Sequence, residues 1–163
     1  MVDPNLLLLD TYFKSRSQKL LMTESMTAGS LSRQVMFSPN SGSYFLGSLV
    51  CYDSQMKTKW LGVDAALIRR HTAESMAVTQ ALLDGLMNNH EADVFVAVTG
   101  LAYPSLQAEQ HRPVGTVYYA FGSKHYRFKK KTHFKGTAEQ IVHQCCQSLW
   151  SDLLHWLKGL PEE

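Results

Sequence analysis

Hydrophobic side chains in this chain recur at helical spacing, alternate, or run together in separate stretches, and their order predicts the architecture. Leu6, Leu9, Tyr12 and Phe13 follow Asp3-Pro4, a good helix start, and polar residues 14–18 close the segment. A short strand is expected over 19–23. Thr27-Ala28-Gly29-Ser30 then leads into a second helix bearing Leu31, Val35 and Met36, which ends near Ser38-Pro39-Asn40-Ser41-Gly42. Residues 44–52 (YFLGSLVCY) are rich in β-forming side chains and predict a second buried strand, leading into a polar helical start at 53–59 that ends at Leu61-Gly62. A short helix over 65–70 and a longer one over 75–88 follow; Ser75 caps the latter, with Met76, Ala81, Leu82 and Leu86 on or near one face.

Residues 92–99 (ADVFVAVT) form the clearest buried strand, a nearly continuous run of β-formers ending at Thr99-Gly100. A loop over 101–113 separates it from strands over 114–122 and 124–132, joined as a hairpin at Gly122-Ser123. The last helix, 137–157, places Ile141, Val142, Cys145, Leu149, Leu153, Trp156 and Leu157 on one stripe suited to covering a sheet. Helices alternating with the first three strands, then a hairpin and a final helix, predict a three-layer α/β/α sandwich with a mixed, largely parallel sheet of about five strands. Loops at the carboxyl ends of parallel strands collect ligands, which directs attention to the turns after Thr23, Tyr52 and Thr99.

At 163 residues the chain is long enough for one real core and too short for two ordinary domains, so residues 1–163 are read as a single domain. No apolar run approaches the roughly 18 to 20 residues that a membrane span needs, and residues 6–9 are followed by Asp10. The N-terminus does not read as a secretory signal, so a cytoplasmic protein without membrane attachment is expected. Cys51, Cys145 and Cys146 lack metal-ligand spacing and are read as buried free thiols. None of the seven histidines forms a helical ligand pair, so neither a metal nor another cofactor is expected. A net charge of +2 is too small to argue for nucleic acid; the basic segment 124–131 alternates Tyr126 and Phe128 with charged residues, as a strand with one wet face does.

Ser25 lies between a strand and a helix, where unsatisfied N–H groups and the helix dipole favour negative charge. On capping preference alone, a serine there is read as a helix N-cap. Tyr52 ends a strand and Lys57 lies five residues on, inside the following helical turn; a desolvated lysine serves as base to a serine, and a tyrosine hydroxyl relays a proton or holds a substrate. By spacing alone they are a core tyrosine and a solvent-facing lysine.

The ordered series Thr23-Glu24-Ser25-Met26-Thr27-Ala28-Gly29, Pro39-Asn40-Ser41-Gly42-Ser43-Tyr44-Phe45-Leu46-Gly47, Val50-Cys51-Tyr52 with Lys57, Leu61-Gly62-Val63, Val98-Thr99-Gly100-Leu101-Ala102 and Arg112-Pro113-Val114-Gly115-Thr116-Val117-Tyr118 resembles the CinA C-terminal domain family, which includes the nicotinamide mononucleotide deamidases. The likeness covers about residues 5–157. It implies an amidohydrolase in which Ser25 attacks or polarises the carboxamide, Lys57 manages its proton and Tyr52 supports the pair. Glu24, Thr27, Gly29, Thr99, Gly100 and Tyr103 are then substrate-binding positions, with amides after Ser25 and near Gly100 holding the oxyanion. The implied partner is a small-molecule nucleotide, and self-association is expected, with Trp150 and Trp156 among the apolar residues available for it. The chain reads as the family's stand-alone form.

Three departures separate it from the family pattern. Cys-Thr-Gly-Gly is Met26-Thr27-Ala28-Gly29; the glycine-rich loop is Ala102-Tyr103-Pro104-Ser105-Leu106, with residues 107–112 behind it; and a Gly-Asp-Arg before the last helix is Gly136-Thr137-Ala138. Arg112, Lys135 and His111 are candidate replacements for the lost phosphate contact. A catalytically inactive or substrate-shifted paralogue, binding a nucleotide or acting as an oligomeric scaffold, is the alternative reading.

Overall fold

The computed structural model describes residues 2–104 and 112–161. Helix α1 (Pro4–Arg16) begins where Asp3 accepts the Asn5 N–H at 2.8 Å, and its buried face carries Leu6, Leu9 and Phe13. Strand β1 (Leu20–Glu24), helix α2 (Ser30–Met36), the single-turn helix α3 (Ser41–Tyr44) and strand β2 (Phe45–Val50) follow. Next come α4 (Ser54–Leu61), α5 (Ala65–His71), α6 (Met76–Asn89), β3 (Val94–Gly100), β4 (Thr116–Gly122), β5 (Arg127–His133) and α7 (Ala138–Lys158). Ser75 caps α6 as expected, and Thr137 and Gln140 form a reciprocal capping box at the start of α7.

The strand order is β2-β1-β3-β4-β5. The first three strands run parallel, and the two pairings beyond β3 are antiparallel. The sheet is therefore mixed, with helical crossovers joining its parallel half and a hairpin closing its other edge. Alternation sends Val94, Val96 and Val98 of β3 into one core beneath α1, α2 and α7, and Phe95 and Ala97 into another beneath α4 and α6. This makes three layers. Among the described residues no helix is long and apolar enough to cross a membrane.

Three expectations are corrected. Tyr44 closes α3 instead of opening β2, because burial against α1 outweighs its strand preference: its ring stacks on Phe13 at 5.1 Å between centroids. Strand β2 is an edge strand, half-exposed along its length, since only β1 pairs with it. Trp150, expected to be available for self-association, lies wholly inside the protomer and donates its indole N–H to Gln34 Oε1 at 2.8 Å. The three cysteines are buried and free.

One close approach bears directly on the parallel end of the sheet. A methyl group added at Gly85 in α6 would lie 2.2 Å from the Leu61 carbonyl oxygen, so α6 touches the last turn of α4 through bare backbone. Leu61 is one turn beyond Lys57, so this contact fixes where α4 delivers its lysine. Gly85→Ala is expected to cost a net stability of about 2 kcal/mol, outweighing the roughly 1 kcal/mol of helix propensity that alanine brings elsewhere. Urea denaturation of the two proteins measures the difference.

Candidate active site

Strand β1 lies between β2 and β3, so the three parallel strands deliver their carboxyl ends side by side. The turn after β1 is held by Glu24, whose carboxylate is buried. Oε2 accepts the Thr27 hydroxyl at 2.8 Å and the N–H groups of Gly29 and Leu31 at 3.0 and 3.1 Å. Oε1 accepts the Ser32 N–H at 3.0 Å and the Ser32 hydroxyl at 2.5 Å. A carboxylate from the preceding strand therefore occupies the positive end of α2. Glu24, Thr27 and Gly29, expected to bind substrate, build this turn, and the Gly29, Leu31 and Ser32 amides at the start of α2 donate to Glu24. The N–H groups of Met26 and Thr27 donate no hydrogen bond among the described residues. Ala28 adopts φ 47° and Gly29 φ 94°, two successive left-handed residues that reverse the chain tightly around Ser25.

Lys57 is the decisive side chain. Asp53 caps α4 by accepting the Gln55 N–H at 2.7 Å, which starts the helix so that Lys57 and Leu61 share its inner face. Lys57 is 0% exposed, contrary to the solvent-facing reading its spacing allowed. Its Nζ donates to Ser25 Oγ at 2.9 Å and to the Cys51 carbonyl oxygen at 2.5 Å. Burial lowers its pKa from the ordinary lysine value, opposed by the nearby Cys51, Glu74 and Asp53. The neighbouring Cys51 thiol is pushed up by burial, with a hydrogen bond from Thr23 and the charge of Lys57 acting the other way. A buried amine inclined to shed its proton thus contacts a serine hydroxyl, and in its neutral form Nζ accepts that hydroxyl's proton.

The remaining expected residues divide. Gly100 faces the turn: a methyl group there would lie 2.3 Å from Met26 Sδ and 2.9 Å from the Thr116 carbonyl oxygen, so only glycine fits. Thr99 is buried with its Oγ1 2.9 Å from Thr79 Oγ1, away from Ser25's partners. Tyr52 is 62% exposed and its hydroxyl bonds neither Ser25 nor Lys57, so the side chain expected to support the pair stands in solvent at the end of β2. Tyr103 is 64% exposed beyond β3. Arg112 is buried, paired with Glu74 at 3.2 Å, and is not an open phosphate contact; Lys135 is exposed, and His111 lies outside the described residues. The Cys51 carbonyl, which orients Lys57, escaped sequence reasoning because a main-chain atom leaves no residue-type signal. Among the described residues no cluster of three His, Cys, Asp or Glu side chains is placed to hold a metal ion.

Residues 7–157 match the family described as "CinA C-terminal domain". The chain belongs to that family. A CinA-like protein of Desulfotalea psychrophila is 37% identical over 126 residues, covering 77% of this chain and 30% of that protein; one of Petrotoga mobilis is 37% identical over 134 residues, covering 82% and 33%. The chain thus spans about a third of the length of these curated relatives. A CinA superfamily protein of Klebsiella pneumoniae superposes with a TM-score of 0.91 at 23% identity, covering 98% of this chain and 99% of that one. A CinA superfamily protein of Escherichia coli gives 0.89 at 24%, covering 96% and 90%. These neighbours share the fold of this CinA domain. A cavity of about 1030 Å³ lies at the far end of its sheet, between Arg16, Asp93 and Arg127. The Ser25–Lys57 pair, at the carboxyl ends of the parallel strands, is the candidate site because of its chemistry.

The turn itself is open to measurement. Glu24→Gln puts an amide NH₂ against backbone N–H groups that can only donate, and a loss of about 2 kcal/mol is expected. Ala28→Gly removes a left-handed alanine and is expected to raise stability by about 0.5 to 1 kcal/mol. Chemical denaturation of both variants checks the opposite signs.

Proposed function

We propose that this CinA domain is a serine amidohydrolase acting on the carboxamide of a pyridine mononucleotide, in the manner of nicotinamide mononucleotide deamidase. The observation that carries the reading is the 2.9 Å contact between Ser25 Oγ and the fully buried Lys57 Nζ, whose pKa burial lowers. Neutral Lys57 takes the Ser25 proton as Oγ bonds the carboxamide carbon. The N–H groups of Met26 and Thr27 meet the developing oxyanion. The tetrahedral intermediate collapses as the C–N bond breaks, Lys57 returns the proton to the leaving nitrogen, and ammonia departs. Water, deprotonated by the same amine, then cleaves the Ser25 ester to give the acid and restore the hydroxyl. Tyr52 and Tyr103, exposed beyond β2 and β3 on either side of β1, offer rings to a flat substrate.

A second reading has its own observation. Met26 packs its sulfur against Gly100 and fills space beside Ser25, which favours a substrate smaller than, or different from, the nucleotide, or binding without turnover.

Ammonia release from nicotinamide mononucleotide tests the first reading. Turnover is expected, with a loss of about a thousandfold or more in Ser25→Ala and equal silence in Lys57→Arg, whose guanidinium stays protonated. Because the base works neutral, kcat/KM is expected to rise with pH along a limb below the ordinary lysine range. No turnover above Ser25→Ala, together with a ligand-induced thermal shift, selects the second reading.

A further inference from the structure

The two edges of the sheet are unlike. Edge strand β2 carries no charged residue, whereas the opposite edge, β5, is rich in cations, and no carboxylate occurs from residue 121 to residue 138. Alternation sorts the β5 side chains onto two faces. Phe128, Lys130 and Thr132 share the α7 face, where Lys130 pairs with Asp152 at 2.8 Å. Arg127, Lys129, Lys131 and His133 stand exposed on the other face, about 7 Å apart along the strand, with exposed Lys124 and Lys135 beyond its two ends. Their β4 neighbours on that face, Gly122, Ala120, Tyr118 and Thr116, are uncharged, and Lys131 Nζ sits 5.6 Å from the Tyr118 ring centroid. Neither the exposed lysines nor Arg127 forms an ion pair among the described residues. Helix α6, packed against β4 on this face, brings a single carboxylate, Asp84.

The main chain of β5 is ordered in the same way. The Tyr126 carbonyl accepts the Ser123 N–H at 2.9 Å and the Phe134 N–H donates to the Gly115 carbonyl at 3.0 Å, so the even-numbered residues bond β4. The N–H and C=O groups of Arg127, Lys129 and Lys131 therefore point outward, where no further strand follows among the described residues. A strand added there sets its residues directly opposite these three, with about 5.5 Å between Cα atoms and side chains on the same face. We propose that the open edge of β5 docks an extended acidic segment of a partner protein, one with Asp or Glu at every second residue. Main-chain hydrogen bonds supply the pairing and the cations select the sequence. A second copy of β5 would set like charges opposite each other, and a phosphodiester backbone would meet the cations but offer no donors to the outward carbonyl groups. Lysines also guard sheet edges against chance pairing. Strand β2, equally an edge and uncharged, has no such guard, so the cations are a property of the β5 edge and not of edges in this fold. The inference is independent of the Ser25–Lys57 reading.

Two readouts on the full chain decide the matter: fluorescence anisotropy of a labelled Glu-Val-Glu-Val-Glu peptide, and amide hydrogen exchange of the protein with that peptide bound. Binding is expected, weakened about tenfold when Lys129→Glu and Lys131→Glu are combined, and a Lys-Val-Lys-Val-Lys peptide is expected to prefer that variant. Exchange at the amides of Arg127, Lys129 and Lys131 is expected to slow on binding, while the amides of Phe128, Lys130 and Thr132, already bonded to β4, keep their rates. Should the charge-reversed protein fail to fold, Lys129→Gln combined with Lys131→Gln takes its place, with a loss of about threefold expected. No binding at millimolar peptide, affinity unchanged in the variants, or binding that leaves the three outward amides unprotected overturns the proposal. So does tighter binding of oligothymidylate than of the acidic peptide at the same salt, which would make the edge a site for nucleic acid.

Discussion

The buried Glu24 carboxylate is the interaction on which this site is built. A strand ending in the middle of a parallel sheet must hand the chain to a helix within a few residues, and the first N–H groups of that helix lack partners. Glu24 supplies both acceptor oxygens to them and to the hydroxyls of Thr27 and Ser32, which ties the last residue of β1 to the first turn of α2. Ser25 is the next residue after this clamp. Its position follows from the clamp, from the left-handed pair Ala28-Gly29, and from the Cys51 N–H donating to the Glu24 carbonyl at 2.8 Å.

Around that fixed serine the parallel strands do the rest. Because β2 neighbours β1, the chain leaving β2 passes Ser25 and enters α4 with Lys57 on its inner face. The amine pays for its burial with a contact to the Cys51 carbonyl and another to Ser25, and desolvation makes it readier to be neutral than a surface lysine. On the other flank Gly100 admits Met26 against β3 and β4. The same turn that exposes a nucleophile thus also carries the side chain that narrows the space beside it.

Much of the fold was legible because its signals are local. The alternation and β-branched runs of β3 and β4, the Asp3-Pro4 start of α1, the Ser75 cap of α6 and the apolar stripe of α7 each depend on a few neighbouring residues, and the structure places elements there. Tyr44 and β2 were misread for a shared reason: a tyrosine in a β-rich run looks like strand, but stacking on Phe13 and the edge position of β2 are tertiary facts. The family was also legible, since its motifs occur in order along residues 7–157.

The roles of the site residues divide along the same line. Sequence alone determined that Ser25 sits in a strand-to-helix turn, that Lys57 follows a second strand by one helical turn, and that both occupy positions of the CinA C-terminal domain pattern. Only the tertiary structure decided that Lys57 is buried against Ser25, that Glu24, Thr27 and Gly29 are spent on the turn, that Tyr52 faces solvent and that Arg112 is locked to Glu74. The reason is physical. Hydrogen-bond partners and desolvation are set by residues from distant segments, brought within 3 Å by the parallel sheet, and no pattern along the chain encodes which of them meet.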